Sequence, residues 1–277
     1  MSASRPPFPD PAPDAPLFRR EREVFVPTAH TRGPWDPDAM HGGAPTALVA
    51  QHLNALSGES RLARLTFEFL GPVPIAPVRV ATSVLKPGRN FQLLEATLSD
   101  TVGRPLLLAR AVALAPGSVT GLPADAAPPA LDPPPGPPES AVLSPFPITA
   151  GSAPEGMHRT GMEIRFLRGS VNENGPSLAW MRLAHALVDD EAACPAARVC
   201  AATDFGNGLS RIVGFDTHLF VNTDLTITLL REPVGEWVLM DSSTAIEPTG
   251  IGWAASALYD EDGGLGQSHQ TLFVRAR

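Results

Sequence analysis

Residues 64–100 read RLTFEFLGPVPIAPVRVATSVLKPGRNFQLLEATLSD, and the spacing of their turns decides the fold. Ala63, Leu65, Phe67 and Phe69 alternate with Arg64, Thr66 and Glu68, the period of two that marks a half-buried strand. Pro72-Val73 is followed fifteen residues later by Pro87-Gly88, then by Asp100 and Gly103. The same punctuation returns further along: Pro233-Val234, Pro248 fifteen residues on, then Asp260 and Gly263. Leu225, Ile227 and Leu229 alternate with Asp224, Thr226 and Thr228 ahead of it, so one antiparallel meander is expected to be built twice.

Working outward, further strands are predicted at 78–85, 90–98, 106–114, 162–167, 178–187, 237–245, 253–259 and 270–274. A helix is predicted over 42–56, with Pro45 in its first turn and Gly58 just past its end. A second, alanine-rich helix is expected from 192 to about 209, with Asp204 near its C-terminal end. Proline marks the boundaries: six of the first sixteen residues are proline, and eleven more fall between Pro116 and Pro147. Proline donates no backbone hydrogen bond and favours extended chain. The expected division is therefore a disordered leader over 1–20, a first unit over 21–115, a linker over 116–157 and a second unit over 158–277. Each unit pairs one helix with a bent antiparallel sheet, which makes the fold class α+β.

Composition removes several function classes. The 277 residues are 43% hydrophobic, enough for a large core. With 21 basic and 29 acidic residues, a formal net charge of −8 and Lys86 as the lone lysine, no cluster of positive charge is available to hold nucleic acid. Cys194 and Cys200 are too few for a disulfide framework and lack the spacing of a structural zinc site. A cytoplasmic protein is expected, because neither a signal peptide nor a run of about 18 apolar residues occurs. No G-x-S-x-G elbow, phosphate loop or H-E-x-x-H helix is present, and seven scattered histidines show no metal spacing, so no metal is expected. Gly250-Ile-Gly252-Trp-Ala-Ala255 matches a loose dinucleotide pattern, but it lies in a strand meander with no helix after it and reads as a turn with a bulge.

Five stretches, PWDPDAMHGGAPTALVAQHL near 34–53, the opening segment, ATDFGNGLS at 202–210, FVNTDLTITLLREPVGEWVLMDSST at 220–244 and GIGWAASALYDEDGGLGQSHQTLFVR at 250–275, together resemble the thioesterase-like superfamily and are similar to bacterial acyl-CoA thioesterase II. The resemblance implies a double hot-dog fold, two tandem hot-dog units each with a central helix wrapped by a bent sheet. It implies hydrolysis of an acyl-CoA by direct attack of water, with no cofactor and with coenzyme A as part of the substrate. The family's catalytic aspartate falls on Asp204 and its glutamine on Gln270, with Gln267 a weaker competitor. Its hydroxyl residue falls on Asn222, a departure that Thr223 or Thr228 would have to cover if the asparagine does not. His41, Gly42, Gly43 and Asn207 are the expected substrate-binding residues.

These types suit the chemistry. A carboxylate can accept the proton of an attacking water, amides can hold that water without competing as bases, and backbone N–H groups near Gly42–Ala44 or Gly206–Gly208 can face a developing oxyanion. Each residue also has a structural reading: Asp204 as a cap on the following turn, His41 as a helix-entry residue, Asn207 as a left-handed turn residue. Trp180, Trp237 and Trp253 are expected in the core, with one of them available to an acyl tunnel. Arg89, Arg110, Arg211 and Arg231 are the arginines considered for the coenzyme A phosphates. The helix over 42–56 offers no carboxylate, so one site per chain is expected. A non-catalytic acyl-CoA or lipophilic-ligand binding protein is the alternative, a hydratase lacks its Asp and His spacing here, and a homo-oligomer is compatible with the sequence.

Overall fold

The computed structural model describes residues 14–123, 135–144, 146, 155–189 and 191–277. In chain order it runs β1 (Phe18–Glu21), β2 (Val24–Pro27), α1 (Gly43–Ser57), β3 (Arg61–Phe69), β4 (Val78–Lys86), β5 (Phe91–Asp100) and β6 (Pro105–Leu114). Then follow β7 (Val142–Leu143), β8 (Met162–Arg168), β9 (Ser177–Leu183), α2 (Pro195–Thr203), α3 (Gly206–Leu209), β10 (His218–Asn222), β11 (Asp224–Leu229), β12 (Val238–Ile246), β13 (Ile251–Asp260) and β14 (Gly263–Ala276). The strands form one antiparallel sheet in the order β1-β2-β4-β5-β6-β3-β11-β14-β13-β12-β9-β8-β7, with β10 also on β14.

The two meanders meet at β3 and β11. Thr66 lies opposite Thr226, with Glu68 opposite Asp224 and Arg64 opposite Thr228. Thr66 and Thr226 are 160 residues apart, the same separation as Asp100 and Asp260 in the repeated turns. Leu65 and Phe67 from one strand and Leu225, Ile227 and Leu229 from the other point into a single core that also holds Leu48, Leu53 and Val199. The alternation read from the sequence therefore sets the buried face on both sides of the junction. Both repeated turns are closed by an aspartate: Asp100 accepts from the Val102 and Arg104 N–H groups, and Asp260 from those of Asp262 and Val234.

α1 starts and stops as its sequence predicts, with Pro45 in the first turn and Gly58 at φ +61° beyond the end. It packs directly on α2, where a Cβ on Gly43 would come within 2.5 Å of the Ala201 carbonyl oxygen, so only glycine allows the approach. The second helix departs from the expected 192–209. It begins at Pro195, behind Cys194 whose sulfur accepts from Ala197 N–H, and it breaks at Asp204 and Phe205 before the one-turn α3. Two glycines in a four-residue turn explain the break, since each weakens helix.

Four further sequence expectations are corrected. Leader was expected through residue 20, yet Leu17 and Phe18 are buried and Phe18 opens β1, because two consecutive large apolar residues outweigh the prolines before them; residues 1–13 lie outside the described residues. Within the expected linker, Val142–Leu143 pairs with β8, and Trp180 Nε1–H donates to the Gly136 carbonyl at 2.8 Å. The strand expected over 178–187 ends at Leu183, and the one expected over 270–274 is the longer β14, which reaches back to Gly263.

Candidate active site

β10 and β11 form one strand with a kink at Thr223. Thr223 N–H donates to the Thr271 carbonyl on β14, and the Thr223 carbonyl accepts from Phe69 N–H on β3, so the chain stays on β14 and gains β3 as a second neighbour from this residue on. The Asp224 carboxylate accepts from Thr271 N–H at 2.9 Å, filling the backbone position that the kink leaves open. That is the role of Asp224, and it leaves Asn222 aimed at the end of α2.

Asp204 stands there, at the C-terminal cap of α2, only 4% exposed. One carboxylate oxygen accepts from Asn222 Nδ2 at 2.8 Å and the other lies 2.9 Å from His41 Nδ1. Asn222 also donates to the Asp224 carbonyl at 3.3 Å, so both amide hydrogens are used and its Oδ1 remains as an acceptor. The reverse assignment of the amide would set oxygen against a carboxylate. The same reasoning fixes His41. Its Nδ1 is near both Asp204 and the Gly43 N–H, at 3.1 Å, but a carboxylate oxygen at the shorter distance needs a hydrogen on that nitrogen. The ring stacks on Phe205 at 4.0 Å, which fixes its plane. His41 is positioned from the first meander by two backbone bonds, His41 N–H to the Thr31 carbonyl at 2.8 Å and Met40 N–H to the Val73 carbonyl at 2.7 Å.

These residues wall a cavity of about 280 Å³, with His41, Gly42, Asp204, Asn207 and Asn222 on its polar side and Trp35, Met40, Phe69, Val73 and Val221 on its apolar side. Gly42 is tightly placed, because a Cβ there would lie 2.8 Å from both the Asp204 carboxylate and the Phe69 ring. Its N–H has no hydrogen-bond partner among the described residues and sits on the cavity wall at the start of α1. A larger recess of about 510 Å³ opens on another part of the molecule, over Thr226, Ala255 and His269, and contains none of the residues gathered here.

Gln270 is brought to the same place but behind the wall. It is 1% exposed, accepts from Asn207 N–H at 3.0 Å and donates to the Asp204 carbonyl at 3.1 Å. Both ends of its amide hold the turn that carries Asp204 and Asn207. Gln267 lies in the other recess, away from Asp204. Asn207 is in the helical turn of α3 and not in a left-handed conformation, since Arg22 is the non-glycine residue with positive φ among those described. Gly43 is inside the helix contact, not on the cavity wall.

Trp180 and Trp237 are in the core as expected and Trp253 is exposed, stacked on His269. The tryptophan that lines the cavity is Trp35, which the sequence reading passed over; its place in the W-D-P-D-A-M-H-G-G stretch beside His41 was the available signal. The arginines also sort differently from one another. Arg231 is committed to Asp260, which is fully buried, and to the Gly263 and Gly264 carbonyls. Arg211 donates to the Glu173 carbonyl and lies over the Phe215 ring, while Arg89 and Arg110 are exposed. Arg277 lies over the outer ring of the cavity, 5.8 Å from the centroid of Trp35.

A matching arrangement on the other side of the helix pair has an amide in the place of Asp204. Asp204 reaches from the end of α2 to the segment before α1, and Gln51 reaches from α1 to the segment before α2, bonding Cys194 N–H, the Ala192 carbonyl and Glu191. An amide stands there where the first arrangement has an acid. Deeper in the fold His158 is pushed down to about 3, by burial first and then by the charges of His41 and Arg159, so it is neutral at pH 7.

Comparison with known proteins agrees along most of the chain. Residues 31–115 match the family model of the acyl-CoA thioesterase N-terminal domain, and residues 124–274 that of the acyl-CoA thioesterase C-terminal domain. Among solved structures, a thioesterase candidate from Novosphingobium aromaticivorans is 21% identical, with a TM-score of 0.67 over 94% of this chain and 98% of that one. A conserved protein with the hot dog fold from Alicyclobacillus acidocaldarius is 17% identical, with a TM-score of 0.67 over 95% and 97%. An acyl-CoA thioesterase II from Mycobacterium marinum is 14% identical, with a TM-score of 0.57 over 94% of each. At these identities the structures establish the hot-dog fold. No curated protein gives a significant match.

Proposed function

The chain belongs to the acyl-CoA thioesterase family, and from that premise we propose that it is a double hot-dog thioesterase that hydrolyses an acyl-CoA to the free acid and coenzyme A. Asp204 is the base. The observation that carries this reading is its nearly buried carboxylate on the wall of a cavity, held by Asn222 at 2.8 Å and by His41 at 2.9 Å. Water bound beside Asp204 gives one hydrogen to the carboxylate and one to Asn222 Oδ1, and its oxygen attacks the thioester carbon. The carbonyl oxygen, taking up negative charge, is met by the Gly42 N–H and the Asn207 side-chain amide. The carbon–sulfur bond breaks as the tetrahedral intermediate collapses, and the proton taken by Asp204 leaves with the thiolate. In this scheme Gln270 is a positioning residue, holding the turn on which Asp204 and Asn207 sit.

Water and the thioester are the only reactants in this scheme. Arg277, over the Trp35 ring at the cavity rim, is the cation best placed to meet a coenzyme A phosphate. Among the described residues no helix is long and apolar enough to cross a membrane, and we place the protein in the cytoplasm, where acyl-CoA is made.

The test is thiol release from a panel of acyl-CoAs by wild type and Asp204→Asn. Removing a general base lowers turnover by about 10²- to 10⁴-fold, and a loss in that range is expected with an unchanged circular dichroism spectrum. Wild-type kcat in the variant would sink the assignment. The contact between His41 and Asp204 supports a second assignment of the base, in which Asp204 orients the ring and Nε2 takes the proton. His41→Gln separates the two: kcat within tenfold of wild type leaves Asp204 as the base, and a loss equal to that of Asp204→Asn moves the role to His41.

A further inference from the structure

Along β13 the inward side chains of Ala254 and Leu258 are buried, which sends Ile251, Trp253, Ala255 and Ala257 to the outer face of the sheet. Register sets Ile251 opposite Phe273 of β14, and Ile251, Trp253 and Phe273 are 64%, 43% and 40% exposed. Next to this apolar step lies the recess of about 510 Å³, lined by small residues that include Ala255, Ala257, Ser243 and Gly266. His269 belongs to the recess and carries the Trp253 ring stacked on it, so a projecting tryptophan stands at the edge of a hollow. Further along the outer face, over β9 and β12, Trp180 and Trp237 are already covered, packed with Ala141 and Leu167.

Large apolar side chains gathered in the open on one face mark a contact surface. The strands beneath limit what can cover it. β13 is paired on both sides, with β12 and β14, and β14 is paired with β13 and β11. No strand edge is offered here, so a partner must bring a face of its own. Charge narrows the choice. With a formal net charge of −8, two copies of the chain repel over most of their surfaces. On this face Asp241 is the carboxylate that lines the recess, and it is paired with Arg168 at 2.6 Å. The two ends of the β13–β14 hairpin are oppositely charged, with Arg275 over the Phe273 ring at one end and Glu261 and Asp262 in the turn at the other, all three exposed.

We propose that a second copy of this chain docks on this face, with its β13 antiparallel to the first. With the two-fold axis passing Ala255, Trp253 of each copy lies over Ala257 and enters the recess of the other, and Arg275 of each approaches the acidic turn of the other. Knob and hollow on one face, and opposite charges at the two ends of one hairpin, are what an isologous contact requires. The proposal is independent of the chemistry beside Asp204.

Sedimentation velocity on the full chain tests it, and twice the chain mass is expected at or below about 100 µM, the weak end of specific association. Trp253→Arg and Ala257→Glu each put an unpaired charge into the contact twice, and each should raise the dimer Kd by at least about a hundredfold with an unchanged circular dichroism spectrum. Mixed in equal amounts, the two variants should recover the dimer, because one end of the contact then holds an Arg–Glu pair and the other keeps its native tryptophan and alanine. A wild type that stays at the chain mass leaves this face to a different protein and overturns the proposal. A dimer that neither substitution weakens overturns the choice of surface, and a mixture that stays monomeric overturns the antiparallel arrangement. Should one variant not fold, the other alone decides whether this surface is used.

Discussion

Gly42 is the residue with the least freedom in the site, because a methyl group at its Cα meets the Asp204 carboxylate and the Phe69 ring at once. Gly42→Ala is expected to push those side chains apart and lower kcat by at least about tenfold while shifting the melting temperature by only a few degrees. Thiol release and a thermal scan on the same preparation check it; wild-type kcat would mean that Asp204 yields without consequence. Gln270 should behave in the opposite proportion. Gln270→Ala leaves the Asp204 carbonyl and the Asn207 N–H without their buried partner, a loss of about 2 kcal/mol that urea unfolding would read. At this scale much of the candidate site was legible. Asp204, Asn222, Gln270, His41 and Asn207 were all picked from the chain and all come together. What the sequence could not tell was the direction in which each faces. Gln270 alternates along β14 like its neighbours, and only the position of the α3 turn determines that its amide is used up inside the wall. Trp35 and Met40 stayed hidden because they line the cavity from a loop, where no period exists to say which side is in.

The repeated turns carry the argument at the level of elements. Asp100 and Asp260 occupy equivalent hairpins and each accepts from the N–H two residues on, yet their surroundings differ. Asp100 is accessible and joined to Arg104, and hydrogen bonds from the Arg104 and Val102 N–H groups hold its carboxyl below the usual range. Asp260 is fully buried and engages Arg231 through both oxygens, and that guanidinium holds its carboxyl low against the opposing effect of burial. Asp260→Ala strands a half-buried arginine and should lower unfolding free energy by about 2–3 kcal/mol, whereas Asp100→Ala should have a much smaller effect. Chemical denaturation of the two variants side by side tests the contrast, and equal losses would contradict it. The turns themselves were readable from proline, glycine and aspartate spacing, and so were the strands that alternate. β1 and β2 were missed because they are four residues each and lie close to a proline run, and the break in the second helix was missed because an alanine-rich run hides the effect of two glycines.

The whole molecule should respond to acid through its buried imidazoles. His158, held down to about 3 by burial, stays neutral in the fold where the unfolded chain would bind a proton, and burial lowers the half-buried His185 in the same direction. Between about pH 6.5 and 3 the unfolded state therefore binds more protons. Stability is greatest above that window and falls as pH drops through it, by up to about 1.4 kcal/mol per pH unit for His158. Urea midpoints at pH 7.5 and pH 5 should show the loss, and His158→Asn should flatten it; equal slopes for the two proteins would assign the acid sensitivity elsewhere. Because the sheet is continuous through β3 and β11, both meanders should lose structure in one transition.

The pairing of Thr66 with Thr226 has a meaning in ancestry. Arg64 faces the counterpart of Glu68, and Glu68 faces the counterpart of Arg64, which is the rule of an isologous contact between two identical subunits. The seam has the two-fold symmetry that two identical subunits would show across such a contact. In a true homodimer any substitution appears on both subunits, so neither active centre can change without the other. Joined end to end, two such units are released from that bond, so a carboxylate at residue 204 can stand in the same fold as an amide at residue 51.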